Sequence, residues 1–314
     1  MTTILATLIP VAALIALGNI LRRRRFLDEK FWEAAERLVF FVLFPCLLFN
    51  KTANADMADV AVGPMASVLL AAIVATAFAT VLAQSLSDTR GPGFAAVFQG
   101  AIQQNAYIGF AVASGLLGLA GDVRAAIAAA VMVPLVNAMS IVLLARLGKS
   151  RAKKKPGWTT VPVAVLTNPL IIALALGWIV NGLDWGAPPL IDGITAILGQ
   201  GSLPLALLCV GAGLRLREVR HAGRPVFVSA GLKLVVLPAA AFVACLAVGL
   251  EGAEAVVAVL FAALPSSATA YMLSRRMGGD STLLAGIITV ETLAAGITIP
   301  LAIALADLAF GPVL

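Results

Sequence analysis

Ten apolar runs separated by short polar loops account for most of this chain. The first five run from about Ile4 to Leu21, Phe31 to Phe49, Pro64 to Leu86, Phe94 to Leu117 and Val123 to Leu147. The second five run from about Val161 to Leu183, Leu190 to Leu214, Val226 to Leu250, Ala255 to Leu273 and Leu283 to Leu308. At 1.5 Å per residue, most are long enough as helices to cross about 30 Å of hydrocarbon. The pattern predicts an all-α membrane protein with ten transmembrane helices. Runs four and nine are interrupted halfway. In the fourth, Gln99, Gln103, Gln104 and Asn105 precede Gly109; in the ninth, Pro265, Ser266, Ser267 and Thr269 precede Tyr271. A bilayer core has no water to satisfy loose polar groups, so such interruptions persist only where protein or a watery cavity surrounds them. Two breaks at matching places in two halves predict a transport site near the membrane midplane.

The loops sort by charge. Those after runs one, three, five, seven and nine carry nearly all the basic residues, among them Arg22 to Arg25, Arg90, Lys149 to Lys155, Arg215 to Arg224, and Arg275 with Arg276. The alternate loops carry Asp56, Asp59, Asp122, Asp184, Glu251 and Glu254, with Lys51 and Arg124 as basic exceptions. Basic loops stay on the cytoplasmic side, so the unbroken alternation supports the span count and puts both termini on the non-cytoplasmic side. Each half then holds an odd number of spans, which inverts the second half relative to the first. The chain divides into a first five-helix repeat (1–147), a basic linker (148–160) and a second five-helix repeat (161–314). Similarity between the halves is faint. The breaks fall in the fourth span of each, and the second spans carry Pro45 and Pro204, each followed by a cysteine.

Composition narrows the function. Hydrophobic residues make up 61% of the chain and charged residues 12%, against about 25% charged in soluble domains. The net charge of +6 lies in short loops, so it orients the protein in a bilayer and implies no nucleic acid. Cys46, Cys209 and Cys245 lie inside apolar runs without metal-ligand spacing, and the single histidine, His221, sits in a basic loop. No metal or cofactor is expected. An intramembrane enzyme would need a nucleophile or an acid–base pair, and neither is visible. The first run follows only three residues and no basic stretch, which suits a first span better than a cleaved signal.

The polar residues within the runs are the candidate site. Amides at Gln103, Gln104 and Asn105 suit a substrate or ion site; the alternative is hydrogen bonding between packed helices. Consecutive helical residues point in different directions, so three adjacent amides cannot all serve one neighbour. Pro265 removes a backbone donor and frees a carbonyl a turn earlier, beside the hydroxyls of Ser266, Ser267 and Thr269. The alternative is a plain kink, but the matching position favours the site. Glu291, inside the tenth run, is costly in hydrocarbon. It could carry a proton, ligate a cation or form a structural bond. Lys233 in the eighth run is read first as snorkelling to the interface; otherwise it attracts an anion or pairs with Glu291. Asn19, Asn137, Asn168 and Gln200 are read as helix-to-helix hydrogen bonders.

Three stretches resemble the auxin efflux carrier family, within the bile, arsenite and riboflavin transporter superfamily. They are Asn105-Ala106-Tyr107-Ile108-Gly109-Phe110-Ala111; Asn168-Pro169-Leu170-Ile171 with Leu203-Pro204-Leu205 and Val210-Gly211-Ala212-Gly213-Leu214; and Leu264-Pro265-Ser266-Ser267-Ala268-Thr269-Ala270-Tyr271-Met272-Leu273, running on into Met277-Gly278-Gly279-Asp280. Lys233-Leu234 with Pro238 fits the family's eighth span. The likeness covers essentially the whole chain. It implies a scaffold domain of spans 1, 2, 6 and 7, and a transport domain of spans 3–5 and 8–10 whose broken helices 4 and 9 cross at the midplane. It also implies elevator-type alternating access for a small organic anion, malonate and indole acetate being family examples. Tyr107, in the first motif, joins Gln103, Gln104, Asn105, Pro265, Ser266, Ser267 and Thr269 as the expected substrate-binding set, with Glu291 and Lys233 for ion or proton coupling. Two positions depart from the family: the fourth span has Gly109 and no proline, and Glu291 stands where a neutral polar residue is expected. Expected partners are the anion, a proton or sodium ion, the lipid of the cytoplasmic (inner) membrane and, as an option, a second copy of the chain. A sodium-coupled carrier like the bile acid symporters is the alternative, ahead of a channel.

Overall fold

A computed structural model describes residues 2–55, 60–149, 166–183, 186–219 and 223–313. The described residues form helices and no strand. In chain order these are α1 (Thr2–Arg23), α2 (Glu29–Leu38), a π turn (Val39–Leu43), α3 (Phe44–Ala53), α4 (Val62–Leu82), α5 (Gln84–Ser87), α6 (Pro92–Ile102) and α7 (Ala106–Leu147). After the linker come α8 (Pro169–Gly182), α9 (Pro189–Gly213), α10 (Leu216–Val219), α11 (Arg224–Gly231), a second π turn (Leu232–Val236) and α12 (Leu237–Val248). The chain closes with α13 (Gly252–Ala263), α14 (Ala268–Met277) and α15 (Ser281–Phe310). Six helical stretches are long and apolar enough to cross a membrane; the bent pair α13–α14, broken by 46°, makes a seventh. The basic linker beyond Lys149, His221, Asp56, Asp59, Asp184 and the expected start of the sixth run at Val161 lie outside the described residues.

The same chemistry causes both π turns. Pro45 and Pro238 each follow one after a single intervening residue. A proline ring collides with the carbonyl four residues back, here that of Phe41 or Leu234, inside the widened turn. One extra residue in the turn relieves the clash and lets the helix continue. The Gly121-Asp122 pair between the fourth and fifth runs reads as a turn in the sequence but is helical. Gly118 carries the turn, with φ 58° and ψ −136°, a conformation that only glycine adopts cheaply. It divides α7 into a short arm from Ala106 and a long one ending at Leu147.

Packing sorts the helices into two groups. In one, α1 lies along α9, and α3 lies against both α8 and α9. In the other, α4 packs on α12, α6 and α7, while α13 packs on α7, α12 and α15. The core belongs to the half-helices α6 and α13. Every residue from Phe94 to Ile102 is buried, and so is every residue from Glu254 to Ala263. A helix apolar all round needs neighbours all round, and these two have them. Large apolar side chains on the outside, such as Ile9, Phe78, Ile197, Val243 and Leu308, face outward, as a lipid solvent requires.

Candidate functional site

Both interruptions are real breaks, and they touch. Helix α6 ends at Ile102 and α7 begins at Ala106; α13 ends at Ala263 and α14 begins at Ala268. Between them the Asn105 N–H donates to the Pro265 carbonyl at 2.8 Å. The Ser266 hydroxyl donates to the Gly100 carbonyl at 2.8 Å. Each break thus satisfies polar backbone of the other span, which a kink in an isolated helix cannot do. Close approach is required here. A Cβ on Gly100 would stand 2.2 Å from the Ser229 hydroxyl and 2.6 Å from an Ile287 methyl.

The candidate residues divide by role. Asn105, extended at φ −90° and ψ 93°, caps α7 by accepting from the Ile108 N–H at 3.3 Å. Gln103 donates through Nε2 to Asn137 Oδ1 at 3.1 Å. Its Oε1, both polar atoms of the Gln104 amide and the Tyr107 hydroxyl are buried without a hydrogen-bond partner among the described residues. The Ser267 hydroxyl bonds the Thr269 hydroxyl and leaves the start of α14 without a side-chain cap. Such orphaned groups are costly, and these all lie at or just after the first break.

A cavity of about 390 Å³ opens beside the crossing. Gln103, Gln104, Tyr107, Ser267 and Thr269 line it, with Asn137 and Asn168. Phe40, Phe41 and Phe44 form an aromatic wall. Among the described residues its only charged lining is Arg37 and Arg276, and neither forms an ion pair there. A pocket whose charges are cationic favours anions. A second, smaller cavity of about 130 Å³ lies on the other side of α14 and reaches Asn105. Pro265 and Ser266 line neither; they are buried in the crossing itself.

Glu291 and Lys233 sit behind the crossing. Glu291 is fully buried and accepts from the Ser266 N–H at 3.0 Å through Oε2. The Ser229 hydroxyl lies 3.2 Å from Glu291 Oε1 and 3.2 Å from the Val97 carbonyl, its one hydrogen shared between them. Lys233 does not snorkel. It is 0% exposed, carried inward by the second π turn, and its Nζ has no hydrogen-bond partner among the described residues. Nor does it close an ion pair with Glu291, whose oxygens meet Ser266 and Ser229 instead. Sequence reasoning missed Ser229, Arg37 and Arg276, and it read Asn137 and Asn168 only as helix contacts. Ser229 stands four residues before Lys233, hence on the same helical face; that spacing was the available signal.

A family model described as "Membrane transport protein" matches residues 3–303. An "Uncharacterized transporter" of Methanothermobacter thermautotrophicus is 26% identical over 299 residues, covering 94% of this chain and 96% of that protein.

Proposed function

Because the chain belongs to the membrane transport protein family, the auxin efflux carrier type its motifs resemble, we propose that it is a secondary transporter for a small carboxylate. It spans the cytoplasmic membrane ten times, as two inverted five-helix repeats with both termini outside. The packing supports this reading. Exchanging each span for its counterpart turns the α1–α9 contact into α3–α8, and the α4–α13 contact into α11–α6. The two packing groups correspond to a scaffold and a transport domain, which move past one another in elevator fashion.

The observation that carries the proposal is the pair of hydrogen bonds joining the breaks, Asn105 to Pro265 and Ser266 to Gly100, beside a cavity lined by both breaks. The starts of α7 and α14 present backbone N–H groups and positive dipole ends to a carboxylate. Gln104, Ser267 and Thr269 fix its orientation. Arg37 and Arg276 draw it in, and the phenylalanines hold its apolar body. Uptake of a panel of labelled mono- and dicarboxylates into proteoliposomes, with and without sodium and across pH, tests this. At least one should accumulate saturably and lose about tenfold or more in uptake with Gln104→Ala or Ser267→Ala, since a lost hydrogen bond to a charged group costs about 1.5–3 kcal/mol. Uptake unaffected by either substitution would remove the crossing from the site.

A further inference from the structure

We propose that Lys51 and Asp122 form an ion-pair latch that holds the protein open at its basic end, and that Glu33, Glu36, Arg215 and Arg275 form the opposing latch of the other state. The inference rests on the alternating-access reading above. The span from α2 through α3 behaves differently at its two ends. At one, Lys51 Nζ meets Asp122 Oδ2 at 2.7 Å, joining α3 to α7. The Asp122 side chain is only 5% exposed there. Arg124, the other basic residue at this end, is paired instead with Glu254 at 2.7 Å. At the other end the same span stands away from α14, with the two cavities between them.

Across the smaller cavity the charges are complementary and unjoined. Glu33 and Glu36 project from α2; Arg215 and Arg275 come from the start of α10 and from α14. None of the four forms an ion pair among the described residues. Arg22, which lines the same cavity, is occupied by Glu29 at 2.8 Å. Opposite charges left apart across a cleft are paired when it closes, and closing it requires the Lys51 end to part. One span thus carries a made latch at one end and an unmade latch at the other. A half-buried pair costs most when one partner is removed, since the remaining charge is stranded.

The test is labelling of a buried reporter beneath the made latch. Ala126→Cys is suitable, because Ala126 stands one helical turn beyond Asp122 on the same face of α7 and is 1% exposed; Cys46, Cys209 and Cys245 are replaced by alanine. A membrane-impermeant maleimide then labels in proportion to the population of the other state. Lys51→Met and Asp122→Asn should each raise the labelling rate about three- to tenfold, and the exchange Lys51→Asp with Asp122→Lys should restore it. Glu36→Gln and Arg275→Gln, at the far end, should lower the rate. That opposite sign separates a shift between global states from local loosening around Ala126. Asp122→Asn is nearly isosteric and carries the test if Lys51→Met does not fold. Unchanged labelling in Asp122→Asn, or far-end variants without effect, would overturn the proposal. Labelling needs no substrate, so a protein that shows these shifts but carries no carboxylate would sink the transport reading alone.

Discussion

Glu291 shows how one side chain can serve structure and function together. Its oxygens satisfy the Ser266 N–H inside the second break and meet the Ser229 hydroxyl. Glu291→Gln keeps an oxygen for Ser266 and removes the titratable group. The expected outcome is a folded protein whose transport has a flattened pH profile; an unchanged profile would leave the residue structural. Glu291→Ala strands the Ser266 N–H and should cost about 1–3 kcal/mol in thermal unfolding. Gly100→Ala forces a Cβ against Ser229 and should cost a similar 1–3 kcal/mol by overpacking. The exceptional polarity of Gln104, Ser267 and Glu291 within apolar runs made them legible as candidates. Arg37 and Arg276 were not, because an arginine at a span end looks the same whether it faces a headgroup or a cavity. Lys233 was misread for a related reason: linear position sets distance from the interface, not the direction in which a π turn aims the side chain.

The broken helices were the most legible elements. Consecutive amides in one run and a Pro-Ser-Ser triplet in the other are residues that compete with helix continuation, and the breaks fall at 103–105 and 264–267. Their crossing was legible only through the family resemblance, since no local pattern encodes which backbone carbonyl Asn105 meets. The reversal in α7 was placed late because Gly121-Asp122 reads as a turn, whereas Asp122 is turned inward toward Lys51. The cap offers a prediction at this scale. Asn105→Ala removes the acceptor of the Ile108 N–H and should lower stability by about 0.5–2 kcal/mol. It keeps the backbone bond to Pro265, so the helix survives while transport is abolished. Near-normal uptake by a stable Asn105→Ala protein would take this residue out of the site.

For the molecule as a whole, alternating loop charge and matching interruptions pointed to the helical membrane architecture before any coordinates. The division into two packing groups was legible only through family resemblance, because contacts between distant spans leave little trace in a single sequence. The account now rests on one site shared by two crossing breaks, and direct binding tests it most closely. Purified protein in detergent is titrated with the best carboxylate from the uptake panel, beside Gln104→Ala, Ser267→Ala and the outward-facing Ile197→Ala. The account predicts saturable binding that weakens about tenfold or more in the two crossing variants and is unchanged in Ile197→Ala. Equal affinity in all four proteins would contradict it.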